Sequence, residues 1–323
     1  MKTLNMRLLP CMAALAGLLA SASAHAVWTF DQNAYSQLAN CTGASSSTAG
    51  TCSSGSKVDN NTVSLSGFSV ANNVSSTSIG GASYATSNSG VVGQWATAQM
   101  GWYSGGGQGI NSDGTTTPNH AIDNNGRTEA VLMRFDSSIA LTSIGLGYAT
   151  SAYCANSSGA KVFPNTSDTC PNGYTLVSKQ TDGSSAVDLS LFRWVGTGAP
   201  TLAGTTASTM AGWQLVGNYG DMSYDTTNPY NVVNTSGLTS SYWLISAYNS
   251  GFAQTSGVTE NRGNLTDGDD YFKLYAVAGK TCSTKLTNGT CDATRSSVPE
   301  PASLALTSVA LLGMFGLRRR KTA

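Results

Sequence analysis

The chain has 323 residues, with charged side chains at 11%, aromatics at 8% and 36 glycines. Charge this sparse excludes the highly charged kind of disorder, and six tryptophans between Trp28 and Trp243 supply material for a buried core. Net charge is zero, but the two ends hold six of the 17 basic residues (Lys2, Arg7, Arg318, Arg319, Arg320, Lys321) and one of the 17 acids (Glu300). The 11 bases and 16 acids that remain make the segment between them acidic by 5 charges, which argues against a nucleic-acid partner.

Residues 1–26 carry the three parts of a secretory signal peptide, which is expected to be helical. Lys2 and Arg7 form its positive start, Leu8–Ala20 its apolar run, and Ala24-His25-Ala26 a small-x-small site for signal peptidase to cut between Ala26 and Val27. The run is short for a membrane span, which needs about 20 residues. Cleavage removes Cys11 and leaves three sequence-local couples, Cys41–Cys52, Cys154–Cys170 and Cys282–Cys291. An even number of cysteines in an oxidising compartment is the pattern of structural disulfides. Other pairings are formally open, but the local set is the expected one. None of the spacings matches the close Cys-x-x-Cys pairs of zinc sites.

Past Val27, the Ser/Thr/Gly stretches Thr42–Ser56 and Val70–Ser89 read as surface loops. Between them, Val63 and Leu65 and then Phe68 and Val70 change phase across Gly67, which predicts a β-bulge there. Gly105–Gly109 lacks the Gly-Lys-Ser/Thr ending of a phosphate loop and reads as a flexible loop. Period-2 patterns then recur. In Thr128–Asp136, Val131, Met133 and Phe135 oppose Arg134 and Asp136, and further on Ile144, Leu146 and Tyr148 alternate with Gly145 and Gly147. Leu189, Leu191 and Arg193 oppose Phe192 and Trp194, and Trp213 and Leu215 oppose Gln214 and Val216. Tyr242–Tyr248 and Tyr271–Val277 are the last strands. Many short strands without a fixed-period repeat predict an all-β fold, an antiparallel β-sandwich of jelly-roll or Ig-like type, over residues 27–280. Residues 281–297 read as a stalk holding the final cysteine couple.

Candidate chemistry is sparse. After signal removal His120 is the one histidine, so a Ser-His-Asp relay would have a single base, and no Gly-x-Ser-x-Gly elbow accompanies it. Asp123-Asn124-Asn125-Gly126 reads as the turn before the Thr128 strand. Glu129 and Glu260 form no glycosidase pair, so no catalytic residue is assigned and no enzymatic activity is expected. Asp267-Gly268-Asp269-Asp270 is the densest acidic cluster. It reads as an Asp-Gly turn or as a Ca²⁺ site built on Asp267, Asp269 and Asp270, although it fits neither an EF-hand loop nor a nonapeptide repeat. No other cofactor is expected. Trp102, Tyr103, Tyr248 and Tyr271 belong either to the core or to sugar-binding platforms.

The C-terminal end is the most specific feature. Val298-Pro299-Glu300-Pro301 is followed by the apolar run Ala302–Leu317 and by the basic stop Arg318, Arg319, Arg320 and Lys321. As a helix the run would reach about 24 Å, a marginal membrane span, with the basic cluster on the cytoplasmic side. Residues 298–323 resemble the PEP-CTERM sorting domain of exosortase substrates. That resemblance implies a Gram-negative bacterium, transient insertion in the inner membrane, exosortase processing near Pro299-Glu300-Pro301, and release or transfer to the cell surface, often with exopolysaccharide. The succession Gly105–Ile110, His120-Ala121-Ile122-Asp123-Asn124 and Arg134-Phe135-Asp136 is similar to others in exosortase-dependent surface proteins, and names a location class only. The expectation is a noncatalytic structural protein of the cell surface or extracellular matrix, as in biofilm. A carbohydrate-binding, lectin-like module acting on exopolysaccharide is the alternative, and a glycoside hydrolase the remote one.

Overall fold

Alternating apolar residues, turn clusters and the lack of helical periodicity leave extended structure as the way this chain buries its side chains, and the computed structural model contains no helix among the described residues. Those residues are 26–30, 51–53, 61–103, 107–111, 121–163, 170–178, 186–225, 229–252, 260–268 and 270–282. The signal segment up to His25, His120, Asp269, Cys41, Cys291, most of the expected stalk and the whole C-terminal run lie outside them.

In chain order the strands are β1 (Ala26–Thr29), β2 (Thr51–Ser53), β3 (Val63–Asn72), β4 (Ser75–Ile79), β5 (Ala82–Ser87) and β6 (Val91–Tyr103). There follow β7 (Gly107–Asn111), β8 (Ile122–Asp123), β9 (Arg127–Asn156), β10 (Lys161–Val162), β11 (Tyr174–Ser178) and β12 (Ala186–Trp194). The last are β13 (Trp213–Ser223), β14 (Tyr230–Val232), β15 (Ser240–Ala247), β16 (Glu260–Arg262) and β17 (Asp270–Thr281). The main sheet runs β1-β17-β7-β6-β3-β9-β15-β12-β13-β16, antiparallel except for the β13–β16 pair.

β9 closes it. Its first part lies between β3 and β15, pairing Val131 with Gly67 and Ile245, while from Ile139 to Ser151 it pairs with β17. One strand therefore serves two stretches of sheet, and the circuit β9-β3-β6-β7-β17-β9 makes a barrel-like arrangement. Alternation specifies only an inner and an outer face, so it does not separate a closed sheet from two facing ones.

Both faces of the β6-β3-β9-β15-β12-β13 stretch are covered. Inside, Trp28, Met133, Leu191, Trp243, Ile245 and Phe272 form the main core. Outside, Phe68, Trp95, Phe192, Trp213 and Phe252 are buried with Leu202, Ala207 and Met210 of the 195–212 crossing. That crossing is stitched to β6 by Trp95 N–H to Thr205 O (3.0 Å) and Gly204 N–H to Trp95 O (2.8 Å).

This double burial corrects the bulge expected at Gly67. β3 pairs with β9 without a register break from Val63 to Ala71. Val63 and Leu65 face the inner core, Phe68 and Val70 the outer one, and an uninterrupted strand buried on both sides mimics a phase change. A real bulge lies at Gly147, which stands between the pairs Lys273–Tyr148 and Leu274–Leu146. It turns Tyr148 away from the face of Ile144 and Leu146, against the sequence expectation, to a place beneath the Lys273 ammonium at 5.2 Å.

Three expected loops also contain strands. Within Val70–Ser89, β4 and β5 form a hairpin whose turn Gly80-Gly81 takes φ of +62° and +86°, the signs a type I′ turn requires. Gly107–Gly109 of the expected glycine loop open β7, which is bonded to β6 and β17. A Cβ on Gly107 would come within 2.9 Å of Leu274 O, so glycine here permits a close strand approach rather than mobility. Within Thr42–Ser56, Thr51–Ser53 pairs with β3.

Cys154 and Cys170 are bonded with Cα atoms 5.5 Å apart, fastening the end of β9 to the start of the β11 segment. Cys282 is also disulfide-bonded. No helix among the described residues is long and apolar enough to cross a membrane, and Ala302–Leu317 lies outside them.

Candidate functional site

Polar side chains converge where β8, the start of β9, the start of β12, the end of β15 and the start of β17 meet. The place is built from the Asp123–Gly126 turn. Asn125 N–H donates to Asp123 Oδ1 at 3.0 Å, an Asx turn, and Gly126 takes φ of +74°, so the chain reverses from β8 into β9. The turn directs Asn124, fully buried, towards β17. Its amide donates to Asp270 Oδ2 (2.7 Å) and Tyr248 O (2.8 Å), and its Oδ1 accepts from Asp270 N–H (2.9 Å).

Asp270, 1% exposed, uses its other oxygen to accept from Asp188 N–H at 2.7 Å. Asp188 in turn accepts from Asp221 N–H (3.0 Å) and from Thr266 N–H (2.6 Å) and Oγ1 (3.1 Å). The relay Asn124–Asp270–Asp188 thus joins the β8–β9 turn, β17, β12, β13 and the approach to Gly268. A second branch runs through asparagines. Asn72 donates to Asn124 O (2.6 Å) and accepts from Thr128 Oγ1 (2.6 Å), while Asn249 donates to that Thr128 hydroxyl oxygen (2.9 Å). Asn88 Oδ1 accepts from Gly126 N–H (3.0 Å), and Asn125 donates to the Tyr271 hydroxyl (2.9 Å). Asn124 O and Gly126 N–H are backbone groups at the β8–β9 turn, where the ladder stops and side-chain partners are needed.

The expected acidic trio divides. Asp267 accepts from Ser250 N–H (2.8 Å) and Oγ (2.7 Å), Asp270 is the relay carboxylate above, and Asp269 lies outside the described residues. Among the described residues no three His, Cys, Asp or Glu side chains are grouped to hold a metal ion. Tyr248 stands beside this charge, and burial first, then Asp267, Asp188 and Asp270, raise its phenol above the ordinary value.

The two glutamates are far apart in role. Glu129, 1% exposed, accepts from Asp123 N–H at 3.2 Å. Glu260 on β16 accepts from Thr235 N–H and Oγ1, Ser236 N–H and the Tyr219 hydroxyl, clamping the 233–238 turn onto β13. Burial alone would raise its carboxyl, but the bonds from Thr235, Tyr219 and Ser236 outweigh it and hold the group below the ordinary value. Chemically, these carboxylates act as fixed acceptors that orient backbone.

Of the expected aromatic platforms, Tyr271 is buried and Tyr248 half-buried, while the side chains of Trp102 and Tyr103 are outside the described ones. A different row lies on the outer sheet face. Trp194 packs on Trp213 at 5.4 Å and sits one step beyond the Arg193–Trp243 pair, beside Tyr242, which pairs with exposed Arg134. Periodicity set Trp194 on the face opposite Leu189 and Leu191, but only the strand order β13-β12-β15-β9 places these side chains side by side.

None of these groups speaks to where the protein goes. Residues 297–321 match the PEP-CTERM protein-sorting motif. The chain carries a PEP-CTERM sorting signal. The PEP-CTERM match covers Val298-Pro299-Glu300-Pro301, the apolar run and the basic stop, and marks a bacterial surface or secreted protein targeted to exosortase. No curated protein matches the chain.

Proposed function

We propose that the exported domain is a noncatalytic structural protein of the cell surface or extracellular matrix of a Gram-negative bacterium. It is freed from its signal peptide after Ala26 and from its tail near Pro299-Glu300-Pro301. The observation that supports this most is the saturation of the Asn124–Asp270–Asp188 relay. Its carboxylate oxygens accept from backbone N–H groups and an asparagine amide, an arrangement that fixes strand ends and keeps these acids away from proton transfer to a substrate. In fold terms the same reading takes the closed sheet as a jelly-roll-like sandwich sealed along one side by β6, β7 and β17. Purified exported protein incubated with the cell's own exopolysaccharide is expected to release no new reducing ends, while loss of the protein weakens cell aggregates. Turnover of the polysaccharide would sink the proposal.

Calcium at Asp267, Asp269 and Asp270 is a separate proposal, in which the ion would brace the turn into β17. It is tested by melting the exported protein in EDTA and in millimolar Ca²⁺. An increase of several degrees in Ca²⁺ that disappears in Asp269→Asn supports it, and coincident curves dismiss it.

Carbohydrate binding is the second reading, favoured by the Trp194–Tyr242–Arg134 row, which offers half-exposed rings and a guanidinium on one face. Exopolysaccharide pulldown should then fail for Trp194→Ala with Tyr242→Ala and persist for Tyr84→Ala. Equal retention of both would exclude this face.

A further inference from the structure

Between Asp59 and Asp113 the sequence contains no charged residue, in a protein whose exported part is acidic overall. This neutral stretch includes the β4–β5 hairpin, which forms its own two-stranded sheet. Its inner strand is anchored, because Ala85 of β5 is buried and accepts from Phe163 N–H at 2.8 Å. Its outer strand is not. Ser75, Ser76, Thr77 and Ser78 are all exposed, so β4 is solvated on both faces, and among the described residues its side away from β5 has no strand partner.

An isolated two-stranded hairpin with a bare edge presents unpaired N–H and C=O groups to any strand that can approach. Natural edges are usually blocked by Lys, Pro, a bulge or an inward-pointing charge. The edge strand β16 carries Glu260 and Arg262, whereas β4 carries none of these devices beyond one register break at its start, Ser75/Ser76. Val74, just before it, leaves 43% of its surface exposed.

We infer that β4 is an assembly edge whose occupant is β4 of a second copy of this chain, added antiparallel about a two-fold axis at Thr77. Charge selects this occupant. Two acidic domains repel each other over most of their surfaces, and a contact through this uncharged stretch brings no like charges together. The two-fold arrangement places Ser76 opposite Ser78 of the other copy and Ser75 opposite Ile79, with small side chains that do not obstruct the ladder. Five residues a side bury far less than the roughly 800 Å² per partner of a standard interface. The contact is therefore weak in dilute solution and significant where surface sorting concentrates the copies. It gives the structural reading above a partner, and to that extent rests on it.

The test uses the exported product of the full chain. Antiparallel partners at the axis have Cα atoms about 4.5–5.5 Å apart, within disulfide range, so Thr77→Cys should form a covalent dimer under mild oxidation. Its rate should exceed that of Thr201→Cys, which is also exposed, by at least about tenfold, and adding Ser76→Lys and Ser78→Lys should bring it down to that control. Should Thr77→Cys not accumulate, a mixture of Ser75→Cys and Ile79→Cys must cross-link while neither alone does. Cross-linking at the control rate, or unchanged by the lysines, overturns the inference. Efficient cross-linking combined with normal cell aggregates in the Ser76→Lys, Ser78→Lys strain would leave the contact standing and remove its structural role.

Discussion

Gly67 lies on β3 under Met100, and a Cβ there would stand 2.5 Å from Met100 Cγ and 2.9 Å from Ala98 O. The Met100 side chain can change rotamer but the carbonyl of the paired strand cannot move alone, so Gly67→Ala is expected to destabilise the protein by about 1–3 kcal/mol in urea unfolding. An unchanged midpoint would mean that β6 can move away. Glu260 makes a pH-dependent contribution. Its folded-state carboxyl lies below the ordinary value of 4.5, so it adds stability above the unfolded pKa and loses that contribution as pH falls through the folded one. Glu260→Gln should therefore melt lower than the parent at pH 7, with the gap closing below about pH 4. A gap that is constant with pH would assign the clamp to packing alone.

At the level of elements, strand ends matter more than strand middles. The inner ladder is held by its own hydrogen bonds and core, while the Asn124–Asp270–Asp188 relay ties together the ends of β8, β9, β12, β13, β15 and β17. Asn124→Ala removes three hydrogen bonds and leaves the buried Asp270 carboxylate with one donor fewer, which is expected to cost about 3 kcal/mol. Asn231→Ala, which frees the exposed backbone of Ser223 and a long 3.4 Å contact to Pro229 O, should stay within about 0.5 kcal/mol. Similar losses in the two variants would show that the relay does not hold the strand ends. The strands themselves were largely legible, because Val131, Met133 and Phe135 or Trp213 and Leu215 alternate cleanly. The relay was not, because Asn72, Asn88, Asn249 and Asp188 lie far apart in sequence and resemble ordinary turn or edge residues until the sheet closes.

For the whole molecule, the sorting signal and the folded domain act in succession. Intact mass of the surface product should place its C-terminus near Pro299-Glu300-Pro301, and deletion of residues 297–321 should abolish surface retention without altering the melting temperature of the exported domain. A product still ending in Arg318-Arg319-Arg320-Lys321 would mean a permanent anchor. Removing residues 27–29 is a different matter, since they pair with β17 and Trp28 is buried in the core, so the chain just beyond the expected signal is part of the fold.

The amino-acid order by itself determined the destination, the β character and the two alternating faces of most strands. A sorting motif is read as a linear string, and period-2 burial needs only neighbours in the chain. Tertiary structure alone decided that β9 closes the sheet, that Gly67 is packed rather than bulged, that Gly147 turns Tyr148 outward and that β4, among the described residues, is paired on one side only. Each of these depends on which distant strand lies alongside, and pairing partners are selected by the packing of both sheet faces at once.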